Sequence, residues 1–313
     1  MYGIMKSTLT RKCFLLGTVL LMLALSGVAE EKAKSLKVLM IGNSFSICVL
    51  KEMPKIAADL GLHLDICSLY IGGCSLERHV ANVKDPSAHP YLVTWSYRSV
   101  PKDAVPFKTA LTYNEERKKW YGNIPALLAG DRWDIVTIQQ ASPTSWRPES
   151  YEPYGTELLA EIAKLAPQAK VYVQQTWSYT PWDGRLAKWG IDQNEMFKRL
   201  ETAYDGFAKA HGLPLIRMGK AVQMFRKATP ELYGERVNND VCGTAVFEQK
   251  DGAWRPKGDV FHLNAQGEYL QGLVWTATLF SADVTKSSYV PKCLASAPRE
   301  AESMRKIAAQ VTE

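Results

Sequence analysis

Two kinds of segment alternate along the chain. Short apolar runs end at glycines or polar residues, and longer stretches carry apolar residues at helical spacing. Residues 36–42 (LKVLMIG) are a continuous apolar run closed by Gly42, the pattern of a strand covered on both faces. Residues 49–60 carry helix-spaced apolar positions, and Gly61 stops them. Residues 63–70 read as a second strand, ended by Gly72-Gly73. Residues 133–140 read as a third, 170–177 as a fourth and 213–219 as a fifth. Helices are expected over 154–166 (punctuated by Pro167), 194–211 (closed by Gly212) and 265–280. Strands that alternate with helices need crossovers, and crossovers give a parallel sheet. The expected fold is α/β, a three-layer sandwich with about five parallel strands.

Three stretches break the rhythm. Residues 75–123 are long and aromatic, with Trp95, Tyr97, Tyr113 and Trp120; residues 181–192 and 233–257 are shorter. All three are expected to be loops over the face that carries the chemistry, within a single domain spanning 30–313.

The N-terminus follows another rule. Lys6, Arg11 and Lys12 form a basic start, residues 13–27 are apolar, and Gly27-Val28-Ala29 places small residues where a signal peptidase reads. The apolar run is short for a membrane span, which needs about 20 residues. A signal peptide over 1–29 is expected, and with it a secreted or periplasmic protein that keeps no stable membrane span. A single domain of the remaining size buries roughly 75% of its surface and needs no staple. Of the six cysteines, Cys13 falls in the leader. The other five are an odd number, which is no disulfide framework but leaves one or two bridges open. No CxxC pair is present, so no metal is expected. The net charge of +6 is scattered, without a basic stripe, and no nucleic-acid partner is expected.

Two short segments carry the candidate chemistry. Gly42-Asn43-Ser44-Phe45-Ser46 follows the first strand and precedes a helix. A serine there sits on a tight turn, with backbone amides that favour negative charge beside it. Asp259-Val260-Phe261-His262-Leu263-Asn264 precedes the last helix. A carboxylate three residues before a histidine can hold the imidazole Nδ1–H and leave Nε2 to take a proton from a serine. Cys74 lacks a neighbouring base and reads as a small buried residue, and His79 and His89 read as loop residues.

A Gly-Asn-Ser turn near the start and an Asp-x-x-His-Leu-Asn near the end resemble the first and last sequence blocks of the SGNH (GDSL-like) hydrolases. The resemblance spans most of residues 36–280. It implies a flavodoxin-like sheet and a serine esterase with Ser44 as nucleophile, His262 as base and Asp259 as its partner, needing no cofactor. The second family block is a glycine after the second strand whose N–H enters the oxyanion hole; Gly73 matches it, with Gly72 as neighbour. The third block departs from the family. Where an Asn amide is usual, this chain has Gln139-Gln140, and Gln140 is the expected oxyanion donor beside the Ser44 and Gly73 amides. Asn43, Trp146, Trp177 and Trp182 are the candidate substrate contacts. Secretion and the many Trp and Tyr residues suggest a small-molecule or polysaccharide ester as substrate, most simply an acetylated glycan. The altered third block keeps two further expectations in view: a non-catalytic carbohydrate-binding protein, and an acyltransferase using the same acyl-serine.

Overall fold

A computed structural model describes residues 34–101 and 104–312. The expected signal peptide lies outside the described residues. In chain order the elements are β1 (Ser35–Gly42), α1 (Val49–Asp59), β2 (His63–Tyr70), α2 (Leu76–Lys84), β3 (Tyr91–Ser96), β4 (Thr112–Asn114), β5 (Lys119–Gly122), α3 (Ile124–Gly130) and β6 (Ile135–Ile138). Then follow α4 (Tyr154–Leu165), β7 (Lys170–Gln174), α5 (Gly184–Trp189), α6 (Gln193–His211), β8 (Leu215–Ile216) and α7 (Met218–Ala228). Two small hairpins, β9 (Tyr233–Gly234) with β10 (Val237–Asn238) and β11 (Phe247–Lys250) with β12 (Ala253–Pro256), precede α8 (Ala265–Phe280) and α9 (Pro298–Gln310).

The main sheet runs β4-β5-β3-β2-β1-β6-β7-β8. Its five parallel strands, in the order β2-β1-β6-β7-β8, form the flavodoxin-type arrangement expected from the sequence. The register pairs Val38 with Ile66 on one side and with Ile135 on the other. Val38, Leu39, Met40 and Ile41 are all buried, so β1 is covered on both faces. The helices form two groups: α1 packs on α8 and α8 on α9, while α2, α3 and α4 pack together.

Residues 75–123 correct the expectation of a loop over the active face. They form α2 and three antiparallel strands that extend the sheet beyond β2. Ser75 caps α2 by accepting the Arg78 N–H, and β3 pairs along β2 from Ile66–Ser96 to Tyr70–Leu92. Residues 233–257 likewise form two hairpins instead of an irregular loop.

Candidate active site at the strand ends

The sheet order reverses at β1, and ligands of open parallel sheets bind beyond the carboxyl ends of strands at such a point. Ser44 stands there, directly after β1, in a tight turn whose Ser46 and Ile47 amides both bond to the Asn43 carbonyl. The turn separates Ser44 from α1, which begins only at Val49.

Asn43 organises that turn. Its Nδ2 donates to the Cys74 carbonyl at 2.9 Å, and its Oδ1 accepts the Phe45 amide at 3.0 Å and Gln139 Nε2 at 2.5 Å. It is 1% exposed. The substrate-contact role expected for Asn43 is therefore corrected: its side chain is spent on joining the segments after β1, β2 and β6.

His262 and Asp259 arrive from the loop before α8. His262 Nε2 lies 2.9 Å from Ser44 Oγ, and His262 Nδ1 lies 2.5 Å from Asp259 Oδ2. Asp259 Oδ1 also accepts the Phe261 and His262 amides, each at 2.8 Å. Partial burial raises the Asp259 carboxyl, but the His262 hydrogen bond and the two amides outweigh it and bring it down to about 2. The carboxylate thus stays charged and holds the imidazole with Nε2 facing Ser44. Asn264 caps α8 through the Gln266 and Gly267 amides, which fixes where the loop ends.

Two backbone donors stand near the serine turn. No acceptor for the Ser44 or Gly73 N–H is found among the described residues. Gly73 has φ +61, a left-handed conformation that glycine adopts without cost and that turns the chain between β2 and α2. Gln140 does not join them. Its Nε2 donates to the Ser150 carbonyl at 2.7 Å and its Oε1 accepts the Leu76 and Ala141 amides. The expectation that Gln140 completes the oxyanion hole is corrected, because its amide is committed to holding the segment after β6. Gln139 is committed to Asn43.

The aromatic expectations divide. Trp177 is fully buried, stacked on Phe45 at 4.2 Å between centroids, with Nε1 donating to the Phe261 carbonyl. It supports the loop that carries Asp259 and His262 and is sealed from solvent. Trp146 is 7% exposed and packs against Trp189 and the Arg147 guanidinium, so it too is a packing residue. Trp182 is half-buried, edge-on to Tyr233 and Phe247. Arg185 was not singled out by sequence. Its guanidinium lies over Tyr179 and Phe261 at 4.1 and 4.2 Å and is paired with Asp183. Phe261 in turn packs on the His262 ring at 4.1 Å.

His79 is corrected as well: it is buried in α2, with Nδ1 2.8 Å from the Tyr91 hydroxyl. Burial pushes its imidazole down to about 3 and the neighbouring Cys74 thiol up to about 12, which leaves both neutral and Cys74 without thiolate character. Cys48, Cys67, Cys74, Cys242 and Cys293 are all free thiols, so neither of the bridges left open by the sequence forms.

The family model for a domain of unknown function, DUF4886, matches residues 37–311. The chain belongs to this family. Its fold is that of a crystallised DUF4886 protein from Bacteroides uniformis, with a TM-score of 0.69 at 24% identity over 89% of this chain and 95% of that one. A protein of Slackia heliotrinireducens, provisionally described as an SGNH hydrolase, aligns with a TM-score of 0.47 at 21% identity, over 79% of this chain and all of that one. A family 3 carbohydrate esterase from Clostridium thermocellum aligns with a TM-score of 0.41 at 10% identity, over 78% of this chain and 94% of that one. No curated protein matches the chain.

Proposed function

We propose that this DUF4886 protein is a secreted serine esterase that removes acyl groups, chiefly acetyl, from carbohydrate. The observation that carries the reading is the unbroken relay from Ser44 Oγ to His262 Nε2 at 2.9 Å and from His262 Nδ1 to Asp259 Oδ2 at 2.5 Å. A base within hydrogen-bond reach of the hydroxyl, itself oriented by a carboxylate, is the arrangement that activates a serine.

In the proposed reaction Ser44 Oγ adds to the ester carbonyl carbon while His262 Nε2 takes its proton. The negative charge that gathers on the carbonyl oxygen faces the Ser44 and Gly73 amides, two donors rather than three. Collapse expels the alcohol, which takes the proton from His262. A water then gives a proton to His262 and adds to the acyl-Ser44 carbonyl, and the acid leaves as Ser44 regains its proton. Asp259 stays ionised throughout, and no step calls on a metal or cofactor.

Support for a glycan ester comes from the half-buried Trp182, the aromatic ring surface around it, and the Arg185 guanidinium beside the catalytic loop. Support for secretion comes from the basic start and apolar run of residues 6–29. A purely binding role does not need a serine hydroxyl held at 2.9 Å from an imidazole, and the relay argues against it.

The test is hydrolysis of 4-nitrophenyl acetate and of an acetylated plant polysaccharide by the mature protein and by Ser44→Ala. Activity in the parent that collapses in the variant is expected. Activity that survives Ser44→Ala sinks the mechanism. Acetyl transfer to an added sugar in preference to water would make the protein a transferase.

A further inference from the structure

The loop that carries Asp259 and His262 is gripped from two sides. On one side Thr180 Oγ1 donates to the Val260 carbonyl at 2.6 Å and Trp177 Nε1 to the Phe261 carbonyl at 2.8 Å. On the other side the Gly243 amide donates to the His262 carbonyl and the Thr244 amide to the Asp259 carbonyl, both at 2.8 Å. Cys242 forms a β-bridge with Leu263, and the Asn264 amide bonds to the Val241 carbonyl. Gly243 has φ +75, and a Cβ there would lie 3.1 Å from Val260 Cα and 3.2 Å from the Asp259 carbonyl oxygen. The two backbones are so close that any shift of residues 240–244 displaces the catalytic loop directly.

One side chain joins the two grips. Arg226 on α7 donates through Nη1 to Ser178 Oγ at 2.7 Å and through Nη2 to the Ser178 carbonyl at 3.0 Å. Ser178 lies between Trp177 and Thr180, the donors of the first grip. Arg226 also pairs with Asp240, through Nε at 3.0 Å and Nη2 at 2.9 Å to the same Oδ2. Asp240 opens the segment that forms the second grip, and its own carbonyl accepts Asn264 Nδ2. The Tyr233 hydroxyl donates to the same Asp240 oxygen. The Arg226 and Asp240 side chains are 3% and 0% exposed.

We infer that Arg226 and Asp240 are a positioning pair for the triad: a buried brace that fixes both grips on the acid–base loop and so sets the aim of His262 at Ser44. This rests on the esterase reading above. A fully buried ion pair is a weak source of net stability, because desolvation offsets most of the attraction. Its contribution here is geometric: a planar guanidinium binds two chain segments in fixed orientation, which an ammonium cannot do. Neither residue touches substrate.

The test compares the parent, Arg226→Lys and the double variant Arg226→Met/Asp240→Leu. Three quantities are measured: the thermal midpoint, kcat and KM on 4-nitrophenyl acetate, and the far-downfield proton NMR signal of the His262 Nδ1–H shared with Asp259. In Arg226→Lys, kcat is expected to fall about 100-fold, the scale set by small misplacements of a catalytic group, with KM little changed and the proton signal broadened or lost. In the double variant, which leaves no buried charge unpaired, the thermal midpoint returns toward the parent while kcat and the signal do not. Recovery of kcat and signal together with the midpoint would overturn the inference, as would parent-like kcat and signal in Arg226→Lys. If the parent hydrolyses no ester, the esterase reading falls and the proton signal alone decides: its loss in both variants supports the brace and its persistence overturns it.

Discussion

Replacing Asn43 with alanine removes three buried hydrogen bonds at once: to the Cys74 carbonyl, from the Phe45 amide and from Gln139 Nε2. At about 1 kcal/mol net for each, the loss is about 3 kcal/mol, a large share of the 5–15 kcal/mol that keeps a typical domain folded. The three groups left behind are walled off from water, so relaxation recovers little of it. The same bonds tie the Ser44 turn to the segment that carries Gly73, so the spacing of the two proposed oxyanion donors loosens with them. Urea denaturation is expected to show the stability loss with an unchanged slope. Ester hydrolysis is expected to show kcat down by about 100-fold, the scale of losing one oxyanion donor. Gln139→Ala removes one of these three bonds, the one at 2.5 Å, which accounts for about 1 kcal/mol of its expected cost, the rest coming from the void left by the buried side chain. The double variant should then cost less than the two single losses added, because they share that bond. An Asn43→Ala protein within about 1 kcal/mol of the parent, with parent kcat, would refute the reading of Asn43 as the joint between the three segments.

Three further expectations concern the loop that carries Asp259 and His262 and the proposed substrate face. Folding lowers the Asp259 carboxyl from its ordinary 3.8 to about 2, so between those values the folded chain binds fewer protons than the unfolded one. The resulting stabilisation is present above about pH 4 and lost as pH falls to about 2; Asp259→Asn should flatten the stability profile across that window in urea titrations. Trp182→Ala should raise KM for acetylated polysaccharide while sparing 4-nitrophenyl acetate. Trp177→Phe, which loses the bond to the Phe261 carbonyl and part of the buried ring stacked on Phe45, should lower kcat on both substrates and leave KM for the polysaccharide unchanged.

Much of this molecule was legible from its residues. The apolar run of β1 and the glycine after it, the bounds of β2 and of α8, and the five-strand parallel core follow from local pattern. A continuous apolar segment has to be covered on both faces, and a 3.6-residue period has to be a helix. The two segments bearing Ser44 and Asp259–His262 could be marked because their spacing has a chemical meaning within each segment. The strands of the sheet extension were not legible. β4 is three residues long and mostly exposed, and it is a strand only because β5 lies beside it.

Side-chain aim was beyond the sequence for the same reason. Gln140 stands where an oxyanion donor was expected, but Ser150, ten residues on, takes its amide. Trp177 and Trp182 are five residues apart in the chain, yet one is sealed under Phe45 and the other is half in solvent. Arg226 left a faint trace, a charge four residues after Val222 on the buried stripe of α7, but nothing local says that it joins Ser178 to Asp240. The sequence by itself determined the strands of the parallel core, the helices near 49–60, 154–166, 194–211 and 265–280, and the segments that carry reactive groups, because those properties depend on neighbours along the chain. Which donor meets which acceptor 48 or 218 residues away was decided by packing, which alone brings such groups within 3 Å.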